Sequence, residues 1–195
     1  MNWIRPPGPV GRPRVIGVLG GSFNPAHEGH RHVSETARKA LDLDAVWWLV
    51  TPGNPLKRAS ELADLLTRAA QARAIAPPGD IVTTIEGQFG THYTFDTLRG
   101  LKRRFPGTRF VWLMGSDNLA SFGRWRNWAA IARLVPIVVV RRPGSALDTL
   151  GSPLVRRFGQ ARRLSAPPCV LLLDGRRSPQ SSTAIRLALE PRLRA

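Results

Sequence analysis

The sequence predicts a single-domain α/β protein with a Rossmann-like, doubly wound, mostly parallel sheet. Three observations predict it. Short apolar runs recur along the chain and alternate with stretches whose apolar residues fall at helical spacing. Several of these runs are near-continuous rather than alternating, as in parallel strands covered on both faces. Polar clusters stand just beyond them, at Gly20–His30, Pro52–Lys57, Gly115–Asn118, Arg141–Arg142 and the loop into Ser181. Folds of this class bind ligands there, outside the carboxyl ends of the strands.

In chain order, Val15–Leu19 is a short buried strand, broken by Gly20 and Gly21. Glu28–Leu41 reads as a helix with Val33, Ala37, Ala40 and Leu41 on one face. Asp44–Thr51 is a second strand, stopped by Pro52-Gly53-Asn54-Pro55. Ser60–Ala76 is a helix with Ser60 as N-cap and Glu61 and Asp64 in its first turn. Ile81–Glu86 is a third strand, and Tyr93–Phe105 a helix with Thr94 as N-cap. Arg109–Met114 is a fourth strand, running into Gly115-Ser116-Asp117-Asn118. Trp125, Trp128, Ile131 and Leu134 stand at helical spacing. Pro136–Val140 is a fifth strand, Ser145–Pro168 a loosely structured Arg- and Pro-rich stretch, and Cys169–Leu173 a last strand. Ser181-Ser182-Thr183 caps a final helix reaching Leu189.

Composition narrows the functional classes. The chain of 195 residues is long enough for one domain with a substantial core, here expected over residues 15–195, behind a flexible tail at 1–14. That tail has no apolar core of a secretory signal, and no run approaches the roughly 20 apolar residues of a membrane span. Cys169 is the single cysteine, so neither an intrachain disulfide nor a multi-cysteine zinc site can form. A cytoplasmic protein without membrane association follows. The formal charge is +16. It suits either a nucleic-acid-binding module or an enzyme of polyanionic small substrates. The basic residues are dispersed in pairs, without a basic tail or an aromatic-interleaved stripe, which favours the second reading.

Two segments carry the chemistry. Gly20-Gly21-Ser22-Phe23-Asn24-Pro25-Ala26-His27-Glu28-Gly29-His30 joins a strand to a helix start with two imidazoles three residues apart. It is neither a P-loop nor the dinucleotide Gly-x-Gly-x-x-Gly. Its glycines would let a nucleotide approach the backbone, and the helix start offers unpaired N–H groups and a favourable dipole to phosphate. His27 and His30 have no neighbouring nucleophile to serve. They read either as a helix cap or as hydrogen-bond donors to phosphate oxygens; a zinc site at His27, His30 and His32 lacks completing ligands. Ser181-Ser182-Thr183-Ala184-Ile185-Arg186 is a second corner of the same kind, with hydroxyls at a helix start and a guanidinium one turn inside. Lys57 follows a Pro/Gly turn beyond a strand end.

These two segments resemble the His-x-Gly-His motif and the C-terminal Ser-[Ser/Thr]-[Ser/Thr]-x-[Ile/Val]-Arg motif of the nucleotidyltransferase α/β phosphodiesterase superfamily, over about Val15 to Leu189. Within it the chain is most similar to the bacterial nicotinate-nucleotide adenylyltransferases, through Tyr93-Thr94, Gly115-Ser-Asp117-Asn, Trp125 with Trp128, and Arg141-Arg-Pro-Gly144. Asn24 departs from the pattern where many members carry Asp, and Asn54-Pro-Leu-Lys57 replaces a frequent Pro-His-Lys.

The resemblance implies adenylyl transfer from ATP to nicotinate mononucleotide, giving deamido-NAD and pyrophosphate. It implies catalytic roles for His27, His30, Lys57 and Arg186. ATP would be held by Gly20, Gly21, Ser22, Phe23, His27, His30, Gly115, Asp117, Ser181, Ser182, Thr183 and Arg186. Nicotinate mononucleotide would be held by Asn54, Lys57, Tyr93, Thr94, Trp125 and Arg141, with Trp125 on the pyridine ring and Trp128 in the core. Mg²⁺ would arrive with ATP, and no residues are assigned to a metal. Nicotinamide mononucleotide and 4′-phosphopantetheine are the alternative acceptors; oligomeric state is not legible.

Overall fold

The computed structural model describes residues 5–11, 14–53, 63–141 and 149–175. Six strands form one sheet in the order β3-β2-β1-β4-β5-β6, and every pairing is parallel. They are β1 (Val15–Gly21), β2 (Ala45–Val50), β3 (Ile81–Thr83), β4 (Arg109–Gly115), β5 (Ile137–Arg141) and β6 (Val170–Asp174). The helices are α1 (Glu28–Leu41), α2 (Leu65–Ile75), α3 (Thr94–Arg104), the short α4 (Leu119–Phe122) and α5 (Trp128–Leu134), and α6 (Pro153–Phe158). The strand order turns back between β1 and β4, so the crevice of this doubly wound fold opens at their carboxyl ends.

The apolar runs form the middle of the sheet because both of its faces are covered. All six residues of β2 are buried. Its alternate side chains enter two cores: Trp47 and Leu49 on one face with Leu98, Phe110 and Trp112, and Trp48 and Val50 on the other with Val33, Ala37 and Val111. Full burial of such a strand removes the polar alternation that would otherwise mark it. Of the expected tail, residues 5–11 lie against the body: Val10 packs on the first core, and the Gly11 N–H donates to Thr108 Oγ1 at 2.8 Å.

Several elements differ from expectation for local reasons. The second helix begins at Leu65, with Asp64 accepting from the N–H groups of Leu66 and Thr67 at 3.0 and 3.1 Å; Ser60 lies outside the described residues. The third strand ends at Thr83, whose hydroxyl accepts the Ile85 N–H at 3.1 Å and turns the chain into a 3-10 turn at Ile85–Phe89. Tyr93, not Thr94, occupies the N-cap of α3, and no side chain caps it. Trp125 is not on the helix of Trp128: Gly123 and a left-handed Asn127 (φ 56°) separate α4 from α5, and Trp125 sits in the turn between. The stretch expected to be loose contains α6, started by Pro153 at its first position and by Ser152, whose hydroxyl accepts the Val155 N–H at 3.3 Å.

Candidate active site

The β1–α1 connection is built by its two histidines. His27 is the N-cap of α1, and its Nδ1 accepts the Gly29 N–H at 3.1 Å. His30 returns the favour, its Nδ1 accepting the His27 N–H at 3.3 Å, with the ring centroids 3.9 Å apart. This is a capping box made of two imidazoles rather than a hydroxyl and a carboxylate. It corrects one expectation: two of the helix-start N–H groups are already taken by the imidazoles. It also fixes the chemistry of both rings. A ring whose Nδ1 accepts carries its proton on Nε2 when neutral, so each imidazole presents an Nε2–H donor. The cap uses one edge of each ring, and the phosphate-donor expectation concerns the other.

The rings rest on a rigid wall. Phe23 is buried and contacts His30 at 4.8 Å between centroids; Trp48 stacks on Phe23 at 5.3 Å. Phe23 holds a left-handed backbone (φ 46°), a costly conformation for an aromatic residue that the surrounding contacts maintain. The Trp48 Nε1–H donates to Asp80 Oδ2 at 2.9 Å, and Ser34 on α1 donates to the same carboxylate, with Arg38 at 3.4 Å. Burial pushes the Asp80 carboxyl above its ordinary range, against the hydrogen bonds from Ser34 and Trp48. The glycines also serve packing. A Cβ on Gly20 would stand 2.2 Å from the Trp112 indole, and one on Gly21 3.3 Å from the Phe23 ring.

A buried cation ties this loop to its neighbours. Arg68, on the buried stripe of α2 with Ala69 and Ala72, is only 1% exposed. Its Nε donates to Ala63 O at 2.7 Å, and its Nη1 to Ser22 O at 2.7 Å and Thr51 O at 2.9 Å; Nη2 reaches Pro52 O at 3.5 Å. Desolvation lowers its pKa, which an arginine tolerates without losing its proton. Thr51, just beyond β2, in turn donates its N–H to Gly21 O at 3.0 Å.

Beyond β3, beside Ile85 of the first core, stands a buried acid. Glu86, in the 3-10 turn, accepts from the Thr97 hydroxyl at 2.7 Å and so braces the first turns of α3. Burial pushes its carboxyl upward; the nearby hydroxyls of Thr51 and Thr97 and the charge of His92 oppose the shift. The Thr51 hydroxyl donates to Gly53 O at 2.5 Å, and among the described residues Glu86 Oε2 has no hydrogen-bond donor. Tyr93 stands 36% exposed at the α3 N-terminus with the Arg126 guanidinium 4.5 Å from its ring centroid. Arg126 also pairs with Asp96 at 3.7 Å. Its neighbour Trp125 is half-buried, edge-on to Trp112 (6.1 Å) and tilted against Phe122 (5.2 Å). Trp128 packs against Phe122 and Phe158, as a core residue does.

At the switch point itself, Gly115 ends β4 and leads into a 3-10 turn on which Asp117 is exposed. A Cβ on Gly115 would meet Asp117 Oδ1 at 2.4 Å, so this glycine makes room for the carboxylate. Arg141, at the end of β5, gives Nη2 to Asp174 Oδ1 at 2.5 Å on the adjacent end of β6. The fold thus brings Gly20–Phe23, His27, His30, Gly115 and Asp117 to the ends of the adjacent strands β1 and β4. Tyr93 and Thr94 stand at the start of α3, and Arg141 is engaged one strand further along. Asn54, Lys57, Ser181, Ser182, Thr183 and Arg186 lie outside the described residues. Arg68, Asp80, Glu86 and Arg126 are additions from the structure. Arg68 left a trace in the sequence, a lone charge among the apolar positions Leu65, Ala69 and Ala72.

The Cytidylyltransferase-like family model matches residues 18–188. A relative from Methylorubrum extorquens (strain PA1), named a probable nicotinate-nucleotide adenylyltransferase, is 51% identical over 181 residues, covering 88% of this chain and 98% of its own length. The chain belongs to the nicotinate-nucleotide adenylyltransferase family. A Caulobacter sp. (strain K31) relative of the same name is 49% identical over 181 residues, with 88% of this chain and 96% of the relative covered. The fold is shared with the Plasmodium falciparum nicotinic acid mononucleotide adenylyltransferase complexed with APC, at a TM-score of 0.66, 17% identity, and coverage of 90% of this chain and 84% of that one. No helix among the described residues is long and apolar enough to cross a membrane.

Proposed function

We propose that this chain transfers the adenylyl group of ATP to nicotinate mononucleotide, releasing pyrophosphate and forming deamido-NAD, in NAD biosynthesis. The observation that supports this reading best is the reciprocal His27–His30 cap beside the β1/β4 switch point, in which both rings accept through Nδ1 and so keep the proton on Nε2 when neutral. The 5′-phosphate of the mononucleotide is ionised at neutral pH, so its oxygen needs no strong base to attack the α-phosphorus of ATP. The new P–O bond forms as the bond to the β-phosphate bridging oxygen breaks, and that oxygen leaves with its electron pair as pyrophosphate. What the protein supplies is position and fixed donors for the charge that builds on the α-phosphate.

His27 and His30 take that donor role. Gly20, Gly21, Ser22 and Phe23 line the ATP side with main chain, and Asp117 accepts from a ribose hydroxyl. Lys57 and Arg186 neutralise phosphates, and Ser181, Ser182 and Thr183 donate to phosphate oxygens. Their assignment, like that of Asn54 to the mononucleotide, rests on the sequence motifs. Tyr93 and Thr94 at the α3 N-terminus receive the pyridine carboxylate, where the helix dipole and Arg126 favour an anion. Trp125 offers its ring to the pyridine. Arg141 contributes to the mononucleotide through the guanidinium N–H groups that Asp174 leaves over. Among the described residues no three His, Cys, Asp or Glu side chains group as metal ligands. Mg²⁺ enters this reading with the phosphates, as part of the MgATP substrate. The enzyme is placed in the cytoplasm and acts on small molecules, with no specific nucleic-acid partner.

Mass analysis of reactions with ATP, Mg²⁺ and each candidate acceptor tests the proposal. Deamido-NAD from nicotinate mononucleotide is expected. Adduct formation with nicotinamide mononucleotide or 4′-phosphopantetheine alone, or with no acceptor, would overturn it.

A further inference from the structure

We propose that Arg68, remote in sequence from both nucleotide motifs, is a positioning residue for the transfer step. Burying a guanidinium is costly unless its N–H groups are used, and a carboxylate is the usual partner. Arg68 is buried with no ion-pair partner among the described residues; its bonds go to four main-chain carbonyls on three segments. Ser22 belongs to the loop that carries Phe23 and the two histidines. Thr51 and Pro52 follow β2, and Ala63 precedes α2. A planar fork can hold several fixed carbonyls at once; an ammonium on a flexible stem cannot reproduce that geometry. The guanidinium therefore sets the distance between the ATP-side loop and the end of β2.

Thr51 extends the brace. Its carbonyl accepts from Arg68, its N–H donates to Gly21 O, and its hydroxyl lies beside Glu86, which braces α3. Thr51 is thus clamped both by the Arg68 fork and by its bond to Gly21 at the end of the β1–β2 ladder, and Ser22, the next residue after Gly21, by the fork. Loosening the fork shifts Ser22 and Phe23, and with them the wall behind His30. A misplacement of the donors by about 1 Å costs on the order of a hundredfold in rate.

This inference rests on the transfer reaction proposed above, and its test separates the two. Arg68→Lys and Arg68→Gln are compared with the full-length enzyme for kcat, both KM values, thermal midpoint and the imidazole ¹⁵N NMR signature of His27 and His30. The expected result is a kcat lower by about tenfold to a hundredfold in Arg68→Lys, measured well below its midpoint, with both KM values within about threefold. The Nε2–H tautomer pattern of the wild-type rings becomes averaged. Failure of the wild-type enzyme to release pyrophosphate would overturn the reaction and leave the ¹⁵N comparison to decide the brace. A folded Arg68→Lys with wild-type kcat, or with an unchanged tautomer pattern, would overturn the positioning role. So would a rate loss in both variants that merely tracks the unfolded fraction.

Discussion

The two sides of the crevice are built by different means. On the side proposed for ATP, main chain and side chain fix each other: His27 and His30 cap α1 reciprocally, Phe23 and Trp48 back them, and Arg68 binds four carbonyls. On the side proposed for the acceptor, the start of α3 has no side-chain cap, and Tyr93 is a surface residue covered by an exposed Arg126. A site that binds one invariant group, a triphosphate, can be over-determined by the backbone. A site that must distinguish a carboxylate from a carboxamide is set by side chains on a shelf, where single substitutions change specificity without unmaking the fold.

The largest effect that would break this contrast is on the rigid side. His30→Ala removes one donor to the developing charge, and its kcat is expected to fall by about a hundredfold to a thousandfold. Circular dichroism should show the fold retained, since the lost half of the cap is worth only about 1 kcal/mol. Trp125→Ala comes next: the KM for nicotinate mononucleotide rises by about tenfold, as loss of one ring stack predicts, while the KM for ATP changes little. Equal changes in both constants in steady-state kinetics would make Trp125 purely a packing residue of Trp112 and Phe122. Arg126→Gln is smaller. Its exposed charge is worth about 1 kcal/mol at most, so the preference for the acid over the amide mononucleotide narrows by about threefold to fivefold, and the narrowing shrinks as salt is added.

Glu86→Gln gives the smallest effect, and on stability. The folded pKa of Glu86 is raised by burial, so the folded state binds its proton more tightly than the unfolded chain does. Its stabilising contribution is complete below the ordinary carboxylate range and is lost as pH rises through the raised value. Glutamine removes that loss. At pH 7.5 the thermal midpoint of Glu86→Gln is expected about 2–4 °C above wild type, the shift that about 1 kcal/mol gives in a domain of this size. Calorimetry at pH 4 should show no such gain. A destabilised variant at pH 7.5 would mean that the Thr97 hydroxyl needs the charged carboxylate.

The sheet was legible because its strands are apolar on both faces, and the alternation with helices left few topologies. The place of the histidine pair at the start of α1 was legible from the strand, glycine turn and helix pattern, and the cap was one of the two readings it allowed. The reciprocal form of that cap was not, because which nitrogen faces the main chain depends on the χ angles of His27 and His30. The packing role of Gly20 was not legible, because it makes room for Trp112 on β4, a contact between residues far apart in sequence. Trp125 fits helical spacing with Trp128, yet the left-handed Asn127 between them breaks the helix. Arg68 and Glu86 share the same obstacle. Each is a charged residue whose worth lies in long-range bonds to carbonyls or hydroxyls, and no local pattern announces those.

Pyrophosphate release by the wild-type enzyme from MgATP, with nicotinate or nicotinamide mononucleotide as acceptor, tests the central claim most directly. The proposed function predicts release when ATP and nicotinate mononucleotide are both present, a kcat/KM preference for the acid, and no release with ATP alone. Release that is absent with nicotinate mononucleotide, or no faster with it than with the amide, would contradict the account.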